Sequence, residues 1–180
     1  QGGARQEDLG GWNYNAGVGV SFKPIDRFSL DIDLNYRHRE AWLLYQGDRD
    51  FSTFAADDIQ PRLAMDVFIN AHQQLRLTMQ WAGIVAKERD FYQVPLDDGY
   101  LMPVVKDPGA LSGDFTISRL TTQLRYRWMI APLSDLFIVY TRGSNLDNQI
   151  DDEFGDLFTN ALRTPVVDLL VIKLRYRFGI

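Results

Sequence analysis

The sequence predicts an all-β protein: an antiparallel, up-and-down transmembrane β-barrel, with about seven strands present as part of a larger even-numbered barrel. Three observations carry this expectation. Apolar and polar residues alternate with a period of two, connections alternate between short and long, and two late stretches, "LRYRW" at 124–128 and "LRYRFGI" at 174–180, set arginines on both sides of a tyrosine. In a water-soluble core each such arginine would need a buried partner, because an unpaired buried charge is very costly. On a strand with one face to lipid and the other to enclosed water, tyrosine and arginines simply point opposite ways.

The expected strands lie near 12–23, 28–39, 59–70, 74–86, 114–130, 135–142 and 166–180. In the first, Trp12, Tyr14, Ala16, Val18, Val20 and Phe22 alternate with Asn13, Asn15, Gly17, Gly19, Ser21 and Lys23. The second sets Phe28, Leu30, Ile32, Leu34 and Tyr36 against Ser29, Asp31, Asp33, Asn35 and Arg37. The third carries Ile59, Leu63, Met65, Val67 and Ile69 against Gln60, Arg62, Asp66 and Asn70, with Pro61 tolerable only near a strand end or bulge. The fourth has Leu75, Leu77, Met79 and Trp81 against Gln74, Arg76, Thr78 and Gln80. In the fifth, Leu120, Leu124, Tyr126 and Trp128 oppose Thr121, Gln123, Arg125 and Arg127, and the preceding "DFTIS" is out of phase, which a bulge at Ser118 and Arg119 would reconcile. The sixth, "DLFIVYTR", is apolar on both sides and its faces stay unassigned. The seventh sets Leu170, Ile172, Leu174, Tyr176, Phe178 and Ile180 against Val171, Lys173, Arg175 and Arg177.

The lipid-facing set is therefore Trp12, Tyr14, Leu30, Leu34, Tyr36, Leu77, Trp81, Leu124, Tyr126, Trp128, Leu174, Tyr176 and Phe178. The lumen-facing set is Lys23, Asp31, Asp33, Arg37, Arg62, Asp66, Arg76, Arg125, Arg127, Lys173, Arg175 and Arg177, acids on early strands and bases on late ones. "KPIDR", "NAHQ" and "APLS" are short connections, while the stretches near 40–58, 86–113 and 143–164 read as long loops. In a meander this sorts short turns to one end and long loops to the other, as in outer-membrane barrels. Residues 1–11 read as an extracellular loop remnant, and 12–180 as the carboxyl-terminal portion of the barrel.

Bulk properties agree. With 46% hydrophobic and 13% aromatic residues the chain covers a large apolar surface, so disorder is excluded. A net charge of −5 supplies no basic field for a phosphate backbone, which argues against nucleic acid. Without cysteine there is no disulfide, thiolate site or Cys nucleophile. No stretch approaches the ~18 apolar residues of a membrane helix, and Gln1 does not open a signal peptide, so the chain is expected to be an excerpt. An odd strand count ending in the periplasm leads the same way: strands precede Gln1, or another chain closes the barrel.

The last strand, with Ile172, Leu174, Tyr176, Phe178 and Ile180 alternating, resembles the carboxyl-terminal strand that Gram-negative outer-membrane proteins present to their insertion machinery, although it ends on Ile instead of an aromatic residue. More narrowly, "QLRLTMQW", "DFTISRLTTQLRYRW", "APLSDLFIVYTRG" and "LLVIKLRYRFGI" are similar to the carboxyl-terminal barrel of an uncharacterised family of bacterial envelope proteins. The resemblance covers about the last two-thirds of the chain. It implies an amino-terminal module similar to the family-nine carbohydrate-binding domains, and brings no catalytic residues.

Two histidines exist, His38 and His72. A hydrolytic Asp-His site at His38, beside Arg39 and Glu40, is the minor alternative to solvated loop residues. The acid groups Asp57-Asp58, Asp97-Asp98 and Asp151-Asp152-Glu153 lack the spacing of a calcium loop; calcium in these loops is the minor alternative to a solvated acidic rim, and no cofactor is expected. Gly17 and Gly19 lie within a strand and form no phosphate-cradling turn. The expected function is a pore or conduit, not an enzyme, in the bacterial outer membrane, passing small polar solutes, sugar-like or anionic, in contact with membrane lipid and lipopolysaccharide. An anchor displaying a carbohydrate-binding module and contacting glycan is the alternative, with a membrane-embedded hydrolase behind both.

Overall fold

A computed structural model describes residues 1–7, 9–96, 99–107, 109, 111–147 and 153–178. The chain forms one antiparallel sheet of nine strands: β1 (Gly2–Gln6), β2 (Trp12–Ile25), β3 (Phe28–Gly47), β4 (Asp50–Asn70), β5 (Gln73–Gln93), β6 (Met102–Val104), β7 (Phe115–Ala131), β8 (Ser134–Asp147) and β9 (Val167–Arg175). A helix, α1 (Phe154–Arg163), precedes β9. Neighbours follow the order β1-β2-β3-β4-β5-β7-β8-β9, with β6 also on β5, so the sheet is open and β1 and β9 are its edges.

At one end, β2–β3, β4–β5 and β7–β8 are joined by turns of two residues, at 26–27, 71–72 and 132–133. The last needs Leu133 at a positive φ of 60°. At the other end lie the longer connections, 94–114 and 148–166, together with one departure from expectation. The stretch 40–58 is not a loop: β3 runs on to Gly47 and β4 begins at Asp50, joined by a tight turn with Gly47 and Asp48 both at positive φ. The physical reason is a register shift between Arg39 and Trp42, which moves Trp42 onto the polar side and scrambles the alternation there. β5 likewise continues to Gln93, past another shift opposite Ser52 and Phe54.

Residues 1–11 hold a strand as well. β1 pairs with β2 from Gly2↔Ala16 to Gln6↔Trp12, although every β1 side chain is exposed. A ladder is made by the main chain, which a polar, Gly-containing segment supplies as readily as an apolar one. Pro61 sits mid-strand, and the β4–β5 ladder opens at Gln60 and Pro61 before resuming in the same register. The bulge expected at Ser118 and Arg119 is absent, since β7 pairs with β5 in one register from Phe115 to Trp128. "DFTIS" is out of phase because apolar residues there occupy the polar side: Phe115 packs on Phe54, with Trp42 beside it. The sides of β8 follow from Leu136↔Trp128, Ile138↔Tyr126 and Tyr140↔Leu124, which put those three on the apolar face and Phe137 and Val139 on the other.

The apolar face runs from β2 to β9, interrupted toward the long-connection end by His38, Asp57 and the Arg142–Asp168 ion pair (3.5 Å), and much of it is uncovered: Val18, Val20, Phe22, Ile32, Leu34, Leu124, Trp128, Leu170, Ile172 and Leu174 are all exposed. One part is covered. Helix α1 lays Leu157 and Ala161 against Leu120 and Trp81, so Trp81, expected to look outward, is only 5% exposed. Its ring meets Phe154 and Phe158 edge-on, its Nε1–H donates to Ser118 Oγ (2.9 Å), and that hydroxyl donates to the Leu157 carbonyl (2.8 Å). Asp156 in the first turn and Arg163 in the last complement the helix dipole. Among the described residues no helix is long and apolar enough to cross a membrane, which says nothing about strands.

Candidate functional site

The other face gathers the charged residues, and strand register decides which of them meet. On β2 and β3, Ser21 Oγ donates to Asp31 (2.5 Å), and Gly17 and Gly19 stand opposite Asn35 and Asp33. A Cβ at Gly19 would lie 2.5 Å from Asp33 Oδ1 and one at Gly17 2.7 Å from Asn35 Oδ1, so these glycines make room for the two polar side chains to lean over β2. Asp33 in turn faces Arg62, Asn35 faces Gln60 and Arg37 faces Asp58. Together they line a groove of about 720 Å³ whose walls include Asn15, Asp33, Asn35, Arg37, Asp58 and Arg62. Lys23 lies 3.7 Å from Asp26 at the short-turn end, where both are exposed.

Across β4 and β5 the face turns basic. Asp66 and Arg76 are directly paired, with Nε and Nη2 of the arginine donating to the carboxylate at 2.9–3.0 Å. The next residue along the row is Arg125, the cross-strand partner of Arg76, whose Nη2 donates to Gln123 Oε1 (2.9 Å). Arg127 donates to Asp135 (3.0 Å) and lies over the Phe137 ring, while Arg175 donates to the other oxygen of the same carboxylate. Lys173 stands opposite Phe137, and the Arg177 backbone N–H donates to Ser134 Oγ (3.0 Å). Gln74, Arg76, Arg125, Arg127 and Phe137 line a cavity of about 200 Å³.

Asp135 escaped the sequence reading. It sits beside a turn in a strand apolar on both sides, yet it is 2% exposed and joins Arg127 from its own hairpin to Arg175, forty residues away. Missed too was Glu88, within the presumed loop. Its carboxylate accepts from Lys106 Nζ (2.5 Å), the Gly113 N–H (2.8 Å) and Ser52 Oγ (2.7 Å), fastening the 94–114 connection to the polar side of β5. Burial pushes this carboxyl up, but the three donors and the lysine charge outweigh it and hold the Glu88 pKa below the ordinary glutamate range. Beneath the tether, Phe54, Ala56 and Ala86 form a buried cluster with Trp42, Leu44 and Phe115.

On the apolar side, at the long-connection end, Asp57 accepts from Tyr36 Oη (2.5 Å) and lies 2.8 Å from His38 Nδ1. The Asp-His proximity read at His38 is thus present as a carboxylate shared by an imidazole and a phenol. Asp58, its neighbour, points to the opposite side and accepts from Gln60, so the Asp57-Asp58 pair does not converge on one ion. His72 lies in the turn between β4 and β5. Asp97-Asp98 and Asp151-Asp152 fall outside the described residues, as does Ile180. Glu153 is the α1 N-cap without a side-chain hydrogen bond. Among the described residues no three acidic or imidazole groups converge as a metal site would require.

A family model, described as Domain of unknown function (DUF5916), matches residues 3–178. No curated protein and no solved structure matches the chain.

Proposed function

The chain belongs to this family of domains of unknown function, DUF5916, and from the two-faced sheet we propose that it forms part of the wall of a bacterial outer-membrane β-barrel. The apolar face meets lipid and lipopolysaccharide, and the polar face lines a conduit for small polar solutes, sugar-like or anionic. The observation that carries the reading is the uncovered apolar face from Val18 to Leu174 backed by an opposite face of paired charges. Exposed apolar patches beyond a few hundred Å² mark a partner or a membrane. Hydrocarbon tolerates strands only where every edge is paired, so β1 and β9 close with strands from an upstream part or another chain.

A second reading, an anchor that displays a carbohydrate-binding module, is favoured by one feature. The Phe54 cluster and the Glu88-tethered connection occupy the polar side at one end, as a closed barrel mouth would have it.

Nitroxide labels placed one at a time from 169 to 175 in the full-length protein, reconstituted in vesicles, test the common premise. Even positions should collide with oxygen and odd ones with a water-soluble nickel chelate; equal accessibility along the strand would remove the membrane reading. Single-channel recording then separates the two functions, because the conduit conducts and the anchor does not.

A further inference from the structure

We infer that the cavity between Arg76, Arg125 and Arg127 is a binding site for a doubly charged oxyanion, a phosphate or sulfate group free or borne on a sugar; this rests on the polar face being open to solvent, as the conduit reading requires.

Arg76 and Arg125 are direct cross-strand partners, and like charges placed so are destabilising. Arg76 has its carboxylate in Asp66, but among the described residues Arg125 is met only by the neutral Gln123 amide oxygen. Arg127 shares one carboxylate, Asp135, with Arg175. Arg76, Arg125, Arg127, Lys173 and Arg175 thus gather on adjoining strands and, among the described residues, have only Asp66 and Asp135 as ion-pair partners, leaving net positive charge.

Shape and chemistry then choose the ligand. The pocket, about 200 Å³, suits one tetrahedral oxyanion and not a polymer. The Arg76 and Arg127 side chains remain nearly half exposed despite their ion pairs, so guanidinium edges stay available. Planar guanidinium forks match phosphate and sulfate oxygens two at a time, which a spherical chloride ion cannot exploit. Gln74 adds a neutral amide, although its Nε2–H already donates to Asp66 (2.9 Å), and the Phe137 ring forms an apolar wall. The acids Asp31 and Asp33 lie on β3, away from the pocket, so the field within the face points an anion toward β7.

Isothermal titration of the full-length protein in nanodiscs with inorganic phosphate, sulfate, glucose 6-phosphate, glucose and chloride tests the site. Phosphate or sulfate should bind while glucose does not, and Arg125→Gln should weaken binding about tenfold or more. Arg125→Lys, which keeps the charge but loses the fork, should fall between, and Arg119→Gln, outside the pocket, should leave affinity unchanged. Tighter binding of glucose 6-phosphate than of phosphate would assign the group to a sugar; equal binding would assign it to the free anion. Absence of phosphate and sulfate binding, equal competition by chloride, or equal loss in Arg119→Gln would overturn the inference. Binding retained in a protein that conducts no current would uphold the site and remove the conduit.

Discussion

Trp81 and Trp128 stand on the same sheet face and would be indistinguishable by alternation, yet their surroundings differ. Trp81 is sealed under α1 and its indole N–H is relayed through Ser118 to a helix carbonyl, whereas Trp128 is 40% exposed. Trp81→Ala is expected to cost about 3–5 kcal/mol, as deletion of a buried aromatic does, and to free α1 from the sheet. Trp128→Ala should cost clearly less, and urea titration of the two variants compares them. At Leu174, exposed on the apolar face, substitution by Arg should cost about 2–4 kcal/mol in a bilayer or block insertion, if that face meets hydrocarbon. Arg175→Leu is milder, because Arg127 remains on Asp135. Equal tolerance at 174 and 175, read as yield of membrane-inserted protein, would contradict the assignment of faces. Asp135 is the more sensitive partner of this cluster: Asp135→Ala leaves two arginines without their carboxylate and should destabilise more than either arginine substitution alone.

Elements were legible where side-chain alternation and main-chain pairing coincide. β2 and the first part of β3 alternate cleanly and lie in one register until Phe22, so both were readable from sequence. The outer half of β3 was not, because the shift after Arg39 reverses the sides and Trp42 joins an apolar cluster on the polar side. α1 left a signal that went unread: Phe154, Leu157, Phe158 and Ala161 recur at helical spacing, but in a short stretch flanked by acids. Of the site, Asp66 and Arg76 could be matched across the turn at 71–72, as Arg127 and Asp135 could across the turn at 132–133, while the second partner of Asp135, Arg175, and the tether of Glu88 depended on contacts between segments distant in sequence that no local pattern encodes. The connection 94–114 also carries a pH dependence. Because the folded Glu88 pKa is lowered, its contribution to docking is fully present above the unfolded glutamate value, about 4.3, and is lost as pH falls through the folded value. Hydrogen exchange should accordingly find this connection protected at pH 7 and released only as the pH falls through the lowered Glu88 value, whereas Glu88→Gln should already loosen it at pH 7. Protection unchanged by both would mean that the carboxylate does not hold the connection.

For the whole molecule the decisive property is that one sheet carries two incompatible surfaces and two unpaired edges. The strands β3, β4 and β5, with 20, 21 and 21 residues, would extend about 65–70 Å at ~3.3 Å per residue, far more than the ~9–11 residues a tilted strand needs to cross a bilayer. Most of the uncovered apolar side chains lie in the half nearer the two-residue turns, although Trp12, Tyr14 and Tyr45 are exposed in the half beyond, which also carries α1 and the Phe54 cluster. That division fits a wall whose inner part is embedded and whose outer part stands above the lipid. It also sets what closure must achieve, since each main-chain group of β1 and β9 left unpaired within hydrocarbon costs several kcal/mol. The isolated 180-residue chain is therefore expected to aggregate or to require detergent, and not to yield a protease-resistant inserted form in vesicles. Supplied with strands that pair its two open edges, it should resist protease over β2–β9 except at the long connections. A separately expressed chain that stays monomeric and fully soluble without detergent would show that the apolar face is content in water, and the membrane reading would fall at the level on which it rests.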